Sequence, residues 1–305
     1  MHESVLLKEC IEYLNLKEDS VIVDCTLGYA GHSSQILKRI PNGFLYAFDQ
    51  DEQAIIFSQK RLKEIGTNYE IIKSNFVFLK EELKKRNIQE VNGILFDLGV
   101  SSPQLDEQER GFSFHKEARL DMRMDQNNPL SAYEVVNTYS FSDLVRIFKN
   151  YGEEKYATSI ARNIEKTRQE KPIETTLELV EVIKNSVPEK YRREHHPARK
   201  VFQAIRIEVN HELEVFEEAL KQSLELLSIG GRVCVITFHS LEDKICKIIM
   251  KEASSLDPSL KELPIIPEGL EPKFKMVANI SPSASELEKN HRARSARLRV
   301  IEKVK

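Results

Sequence analysis

Residues Asp24 to Gln35 read DCTLGYAGHSSQ and follow the apolar run Val21-Ile22-Val23. A short run rich in β-branched residues, a tight glycine-bearing turn and then helical spacing predict strand, turn and helix in that order. Glycines let a ligand approach bare backbone, and the helix that follows begins with unsatisfied N–H donors. The stretch therefore predicts an α/β fold with a ligand seated at the exit of its first strand.

Working outward, Val21 to Cys25, Phe44 to Phe48, Tyr69 to Ile72 and Gly93 to Phe96 are strand candidates, separated by helical patterns at His32 to Arg39, Asp51 to Ile65 and Phe76 to Arg86. That alternation belongs to a doubly wound parallel sheet, whose ligands sit outside the carboxyl ends of the strands. It stops near Leu105. Up to Pro197 only helical segments follow (Ala132 to Val136, Phe141 to Lys149, Glu153 to Gln169 and Thr176 to Ser186), punctuated by Pro129, Pro172 and Pro188. The reading is an all-helical insertion at 105–197 in a discontinuous sheet domain of 1–104 and 198–305. Val201 to Leu227 predicts one long amphipathic helix, or two joined near Asn210. Arg232 to Phe238 reads as a strand, Ser240 to Glu252 as a helix and Arg294 to Val304 as a last strand. Leu256 to Lys289, with five prolines, reads as a long irregular connection.

The chain has 305 residues, 30% of them charged and 41% hydrophobic, with a formal charge of -3. This is the composition of a globular protein. The apolar stretch Val233 to Phe238 is too short to cross a bilayer and no signal-like segment opens the sequence, so a cytoplasmic protein without a membrane partner is expected. Cys10, Cys25, Cys234 and Cys246 form no CxxC pair, which argues against zinc and disulfides and for buried thiols. Charge is uneven. Lys190 to Arg206 holds six basic residues and one acid, and Lys289 to Arg299 holds five basic residues and none. Such clusters on a net acidic chain are either solvated faces or polyanion contacts.

A dinucleotide turn needs glycines at its first, third and sixth positions, whereas this one offers Gly28, Ala30 and Ser33, so that fingerprint fails. An S-adenosylmethionine turn asks less: a tight loop after the first strand and an acid after the second to hold ribose hydroxyls. Asp49 stands in that place and can accept two hydroxyls, or it can cap the helix near Asp51. Asp97 ends the fourth strand, where a carboxylate receives an ammonium or an amine, or closes a loop turn. Gln104, after Ser101-Ser102-Pro103, offers a donor and an acceptor.

The stretches HESVLLKE (His2 to Glu9), DCTLGYAGHS (Asp24 to Ser33), FDLGVSSPQLD (Phe96 to Asp106), ERGFSF (Glu109 to Phe114), LDMRMD (Leu120 to Asp125), YGEEKYA (Tyr151 to Ala157), HPARKVFQAIRIEVNHEL (His196 to Leu213) and FHSLEDKI (Phe238 to Ile245) together resemble the bacterial ribosomal small subunit methyltransferase H family, also called MraW. The resemblance runs over nearly the whole chain, weakly at Gln126 to Lys149 and Leu256 to Glu288. It implies a Rossmann-like class I sheet with an inserted helical domain, S-adenosylmethionine as methyl donor, and transfer to the exocyclic N4 of a cytosine in the decoding region of 16S rRNA. The implied partner is that RNA within the small ribosomal subunit or a late assembly intermediate, with no obligatory protein partner.

Carried over residue by residue, the family's cofactor contacts fall on Ala30, Gly31, His32, Asp49, Phe76, Asp97 and Gln104, and the turn itself adds Gly28 as a cofactor-binding candidate. Ala30 departs from the family's usual glycine, and would be strained by about 1 kcal/mol if the turn needs positive φ there. Phe76 packs on an adenine face or in the core. RNA-binding candidates are Arg110 and Arg123, which lie among aromatic residues in the insertion, with Arg199, Lys200, Arg292, Arg294 and Arg297 from the basic clusters. His239 and Ser240 are expected at the crevice, Ser240 as a helix N-cap with Asp243 three residues on. Amino methyltransferases often carry Asp/Asn-Pro-Pro-aromatic at the fourth strand, and this chain has Asp97-Leu98-Gly99-Val100, so the catalytic group stays open among Asp97, Ser101, Ser102 and Asp106. A binding protein that holds the cofactor without turnover, and a methyltransferase acting on DNA or a small molecule, are the competing readings.

Overall fold

The structure is a computed structural model describing residues 4–194, 196–256, 259 and 269–305, and the backbone alone of residues 102 and 103. It forms two compact units, Met1–Gly99 with Leu213–Lys305, and Val100–Glu212. In chain order the first unit supplies α1 (Leu7–Tyr13), β1 (Val21–Asp24), α2 (Gly31–Leu37), β2 (Phe44–Asp49), α3 (Glu52–Lys63), β3 (Tyr69–Lys73), α4 (Leu79–Lys85) and β4 (Val91–Asp97). The helices α5 (Ser102–Asp106), α6 (Ala132–Thr138), α7 (Phe141–Asn150), α8 (Ala157–Glu170), α9 (Thr176–Asn185), α10 (Glu189–Glu194) and α11 (Ala198–Asn210) follow. The chain then returns through α12 (Glu212–Leu226), β5 (Leu227–Thr237), α13 (Ser240–Ser254), β6 (Phe274–Ile280), α14 (Ala284–Lys289) and β7 (Arg297–Lys303).

The seven strands form one sheet in the order β3-β2-β1-β4-β5-β7-β6. Strands β1 to β5 are parallel, and β7 runs antiparallel between β5 and β6. The direction of winding reverses between β1 and β4, which opens a crevice at their carboxyl ends. Central strands are covered on both faces and so read as unbroken apolar runs. Phe96 of β4 is fully buried, edge-on to Phe76 at 5.6 Å and to Phe216 of α12 at 5.7 Å. Burying such a ring is worth roughly 2–3 kcal/mol, and each edge contact adds on the order of 1 kcal/mol.

The helical unit has its own core, including Val135, Ile147, Phe148, Ile160, Ile183, Val201 and Ile205. Helix α11, expected with the sheet, packs on α6, α7 and α9 instead. An apolar stripe says that a face is buried but not against which core. Helices α11 and α12 are separate because His211 takes a left-handed conformation (φ 50°) between them.

The stretch from Leu256 to Lys289 departs from its expectation of irregular chain. Residues 257, 258 and 260–268 lie outside the described residues, but β6 and α14 occupy much of the remainder. Strand β6 is an edge paired only with β7, and its half-exposed sequence FKMVANI lacks the apolar run that marks an interior strand. The cap of α13 also differs. His239, not Ser240, is the N-cap, its side chain accepting from the Glu242 N–H while the Glu242 carboxylate accepts from the N–H groups of Phe238 and His239. An imidazole nitrogen does here what a hydroxyl usually does, so the S-x-x-D signal is one residue out of register.

Candidate functional site

The turn after β1 is held from several sides. Gly28 donates its N–H to Asp49 Oδ2 at 2.8 Å, and its carbonyl accepts from Ser58 Oγ of α3 at 2.7 Å. The Tyr29 carbonyl accepts from Arg61 Nη1 at 2.8 Å. Gly28 has φ +48°, and a Cβ placed on it would meet nothing nearer than the Thr26 carbonyl at 3.9 Å. The turn thus leaves open space above bare backbone. Ala30 is left-handed (φ 57°, ψ 35°) and caps α2 without a side-chain bond, so the condition for strain at this alanine is met. At Gly31 a Cβ would come within 1.8 Å of Ser4 Oγ; this glycine lets the N-terminal segment close on the helix.

Asp49 ends β2 with Oδ2 on Gly28 N–H and Oδ1 accepting from Asp51 N–H at 2.9 Å. It is not the cap of α3. Asp51 takes that role through Gln53 N–H, and Asp49 is left for the crevice with lone pairs unspent. Burial raises its pKa to about 7, opposed by backbone N–H bonds from Asp51, Gly28 and Gln50.

Across the switch point, His32 Nδ1 lies 3.4 Å from Asp97 Oδ2, the imidazole buried and the carboxylate partly open. Burial pulls the His32 pKa down, but the hydrogen bond and charge of Asp97 and the charge of Asp24 outweigh it, and the net shift is upward. Asp24 is buried and accepts from Ser33 Oγ at 2.7 Å and Thr26 N–H at 3.0 Å. Burial raises its pKa as well. Thr26 Oγ1 accepts the Asp97 N–H at 2.7 Å, tying the ends of β1 and β4. Phe76 follows Asn75, whose side chain caps its single 3-10 turn; one edge packs on Phe96 and the rest stays half exposed.

Gly28, Ala30, Gly31, His32, Asp49, Phe76 and Asp97 all belong to the sheet unit, at or just beyond the carboxyl ends of its strands. Asp24, Ser58 and Arg61 brace this site without having been singled out; an Asp that closes an apolar strand was the one available signal. Gln104, Ser101, Ser102 and Asp106 fall in the helical unit. Gln104 is buried and its Oε1 accepts the Ser101 N–H at 2.9 Å, while Asp106 is exposed. The Ser102 side chain lies outside the described residues.

Two of the RNA-binding candidates are already engaged within the helical unit. Arg110 is buried and donates to the carbonyls of Arg123 and Met124. Arg123 is bidentate to Asp121 at 3.0 and 2.7 Å and bonds the Asn128 carbonyl, which locks the LDMRMD segment. Arg110 is thereby enclosed, while part of Arg123 stays open to solvent. The basic clusters lose members for the same reason, since Arg206 pairs with Glu212 and Arg299 with Asp243. Arg199, Lys200, Arg292 and Arg294 are exposed, and Arg297 is half-buried on Asn279. The four cysteines are free and buried, as their spacing implied. Among the described residues no helix is long and apolar enough to cross a membrane.

The family model described as the MraW methylase family matches residues 1–304. A ribosomal RNA small subunit methyltransferase H from Exiguobacterium sibiricum is 57% identical over 307 aligned positions, covering 100% of this chain and 98% of the relative. Solved structures with lower similarity include an rRNA methylase from Streptococcus thermophilus, 13% identical, covering 98% of this chain and 94% of that one with a TM-score of 0.45. Another is a SAM-dependent O-methyltransferase from Thermotoga maritima, 11% identical, covering 100% and 68% with a TM-score of 0.43. With the family matched from end to end, the chain belongs to the MraW methylase family and is a methyltransferase with S-adenosylmethionine as its methyl donor.

Proposed function

We propose that this methyltransferase acts on 16S rRNA, within the small subunit or a late assembly intermediate in the cytoplasm, and transfers the methyl group to the exocyclic N4 of a cytosine in the decoding region. The observation that carries the cofactor half of this reading is the Gly28 to Asp49 hydrogen bond at 2.8 Å, which sets an acidic acceptor beside an open turn at the carboxyl ends of β1 and β2. Asp49 then accepts ribose hydroxyls, the N–H groups that open α2 face the methionyl carboxylate, and Phe76 lies along the adenine.

The N4 lone pair is conjugated into the ring, so its nitrogen becomes a nucleophile only as an amino N–H is drawn toward an acceptor. Of the four catalytic candidates, Asp97 alone has a described imidazole beside its carboxylate. In this reading Asp97 accepts the amino N–H, His32 holds the carboxylate in place, and positioning of the two reactants supplies most of the acceleration. Exposed Arg199, Lys200, Arg292 and Arg294 take up RNA phosphates.

Transfer of labelled methyl groups from S-adenosylmethionine to small subunits, naked 16S rRNA and duplex DNA tests the reading. Label on N4-methylcytosine of the RNA is expected. Label in DNA alone, or cofactor binding with no transfer to any acceptor, overturns it in favour of a DNA enzyme or a non-catalytic assembly factor.

A further inference from the structure

The helical unit carries a cluster of rings that the cofactor crevice does not use. Phe114 lies edge-on to buried Phe202 of α11 at 5.7 Å, and its other sides meet His115 at 4.3 Å and His196 at 4.4 Å, the last nearly parallel at 28°. The two imidazoles are 5.3 Å apart. Phe114 is half-buried and both histidines are exposed. A core residue thus anchors three rings that end at the surface.

Neither imidazole has a hydrogen-bond or ion-pair partner among the described residues. Burial, with the charges of His115 and Lys184, lowers the His196 pKa, so at neutral pH this ring presents a π face and two free nitrogens rather than a cation. Basic residues outnumber acids in the adjoining segments, where Glu117 and Glu194 are the exposed acids beside them. Lys116 follows His115, Arg192 and Arg193 end α10, and Arg199 and Lys200 open α11, all of them exposed. Lys184 and Arg193 are offset by Glu181 and Glu189. Arg192 and Arg199 have no carboxylate partner among the described residues.

Two exposed imidazoles on a half-buried phenyl ring, with Arg192 and Arg199 four and three residues from His196 in the chain and without carboxylate partners among the described residues, suit a nucleotide: a flat base to stack and phosphates to neutralise. A base inside a duplex has both faces covered, so the matching partner is unpaired RNA. We propose that Phe114, His115 and His196 form a stacking platform for an unpaired base of the RNA substrate, with Arg192 and Arg199 holding the flanking phosphates. This rests on the rRNA reading above and adds to it a contact in the helical unit.

The test uses the full-length enzyme and a single-stranded RNA carrying 2-aminopurine, whose fluorescence is quenched on stacking. His196→Ala should reduce quenching and weaken binding on the order of tenfold, the usual scale for losing one base–ring stack. His196→Phe keeps the ring and should keep both. Phe114→Leu should resemble His196→Ala, with a melting curve to confirm folding; the exposed histidine variants are free of that complication. Affinity for S-adenosylmethionine should not change in any of them. Wild-type binding that no variant weakens overturns the platform and leaves the rRNA reading standing. Variants that still bind and methylate naked RNA but fail on assembled subunits would put a ribosomal protein on these rings and overturn an RNA occupant. A wild type that neither binds nor methylates any RNA removes both readings.

Discussion

His32 Nδ1 stands 3.4 Å from Asp97 Oδ2, so the first turn of α2 and the end of β4 meet through an imidazole and a carboxylate. The contact spans the point where the sheet reverses its winding, and buried Asp24 adds the charge of a second carboxylate to it. A carboxylate backed in this way is fixed in orientation while one side stays open to an incoming N–H donor.

Asp97→Asn should lower kcat by about a hundredfold, the low end for removing a positioned proton acceptor, with the dissociation constant for S-adenosylmethionine near that of the wild type. Single-turnover kinetics and calorimetry separate the two quantities. The opposite split, weak cofactor binding with kcat intact, would assign Asp97 to the methionyl ammonium. The same substitution removes the negative charge that holds the His32 pKa up, so an NMR titration should find that histidine shifted downward.

Burial outweighs the N–H bonds that Asp49 accepts from Asp51, Gly28 and Gln50 and pushes its pKa up to about 7. Ribose hydroxyls and backbone N–H groups both favour the ionised form, so affinity for the cofactor should rise with pH through about 7 and level off above it. In Asp49→Asn that dependence should vanish, and affinity should drop on the order of tenfold. The sign for stability is the reverse. A carboxyl whose folded pKa is raised stabilises the fold fully below its unfolded pKa of about 3.9, and that contribution is lost as pH rises toward 7. Denaturation of the free enzyme should therefore show Asp49→Asn gaining on the wild type between pH 5 and pH 8.

Gly111, in the ERGFSF stretch, has φ +70°, and a Cβ there would lie 2.4 Å from the Arg119 carbonyl and 3.0 Å from the Asp121 N–H nitrogen. Both obstacles are backbone and cannot rotate aside. Gly111→Ala should cost about 2–4 kcal/mol, adding left-handed strain to overpacking, as read by urea denaturation. A loss under 1 kcal/mol would mean that the loop relaxes freely.

Methylation at ring carbon C5 would need a thiolate to add at C6, and no cysteine here is placed to supply one. Burial raises the pKa of Cys10 and Cys25 well above the usual thiol range, of Cys234 to about 12, and of Cys246 as well. A variant with all four replaced by small apolar residues should keep most of its turnover once folding is verified. RNA containing 5-fluorocytosine should not be trapped. A covalent RNA complex of the wild type, lost in the folded variant, would move the reaction to the ring carbon.

The amino-acid order alone determined the local pieces of this protein. Apolar runs made β1 to β4 readable, glycines and an early polar helix marked the turn at Gly28 to His32, and the acid closing β2 marked Asp49. Each depends on neighbours in sequence, through strand burial, turn geometry and helix-end donors, and so survives without the rest of the chain. Which distant groups meet was decided only in three dimensions. Arg110 and Arg299 carry the charge expected of phosphate binders, yet tertiary packing sets them on carbonyls and a carboxylate, because a buried guanidinium must be paired. The imidazole of His32 under Asp97 and the rings of Phe114 and His196 come from residues 65 and 82 positions apart. No pattern in the sequence announces such pairs, since each residue is ordinary in its own segment and gains its chemistry from the one that folding sets beside it.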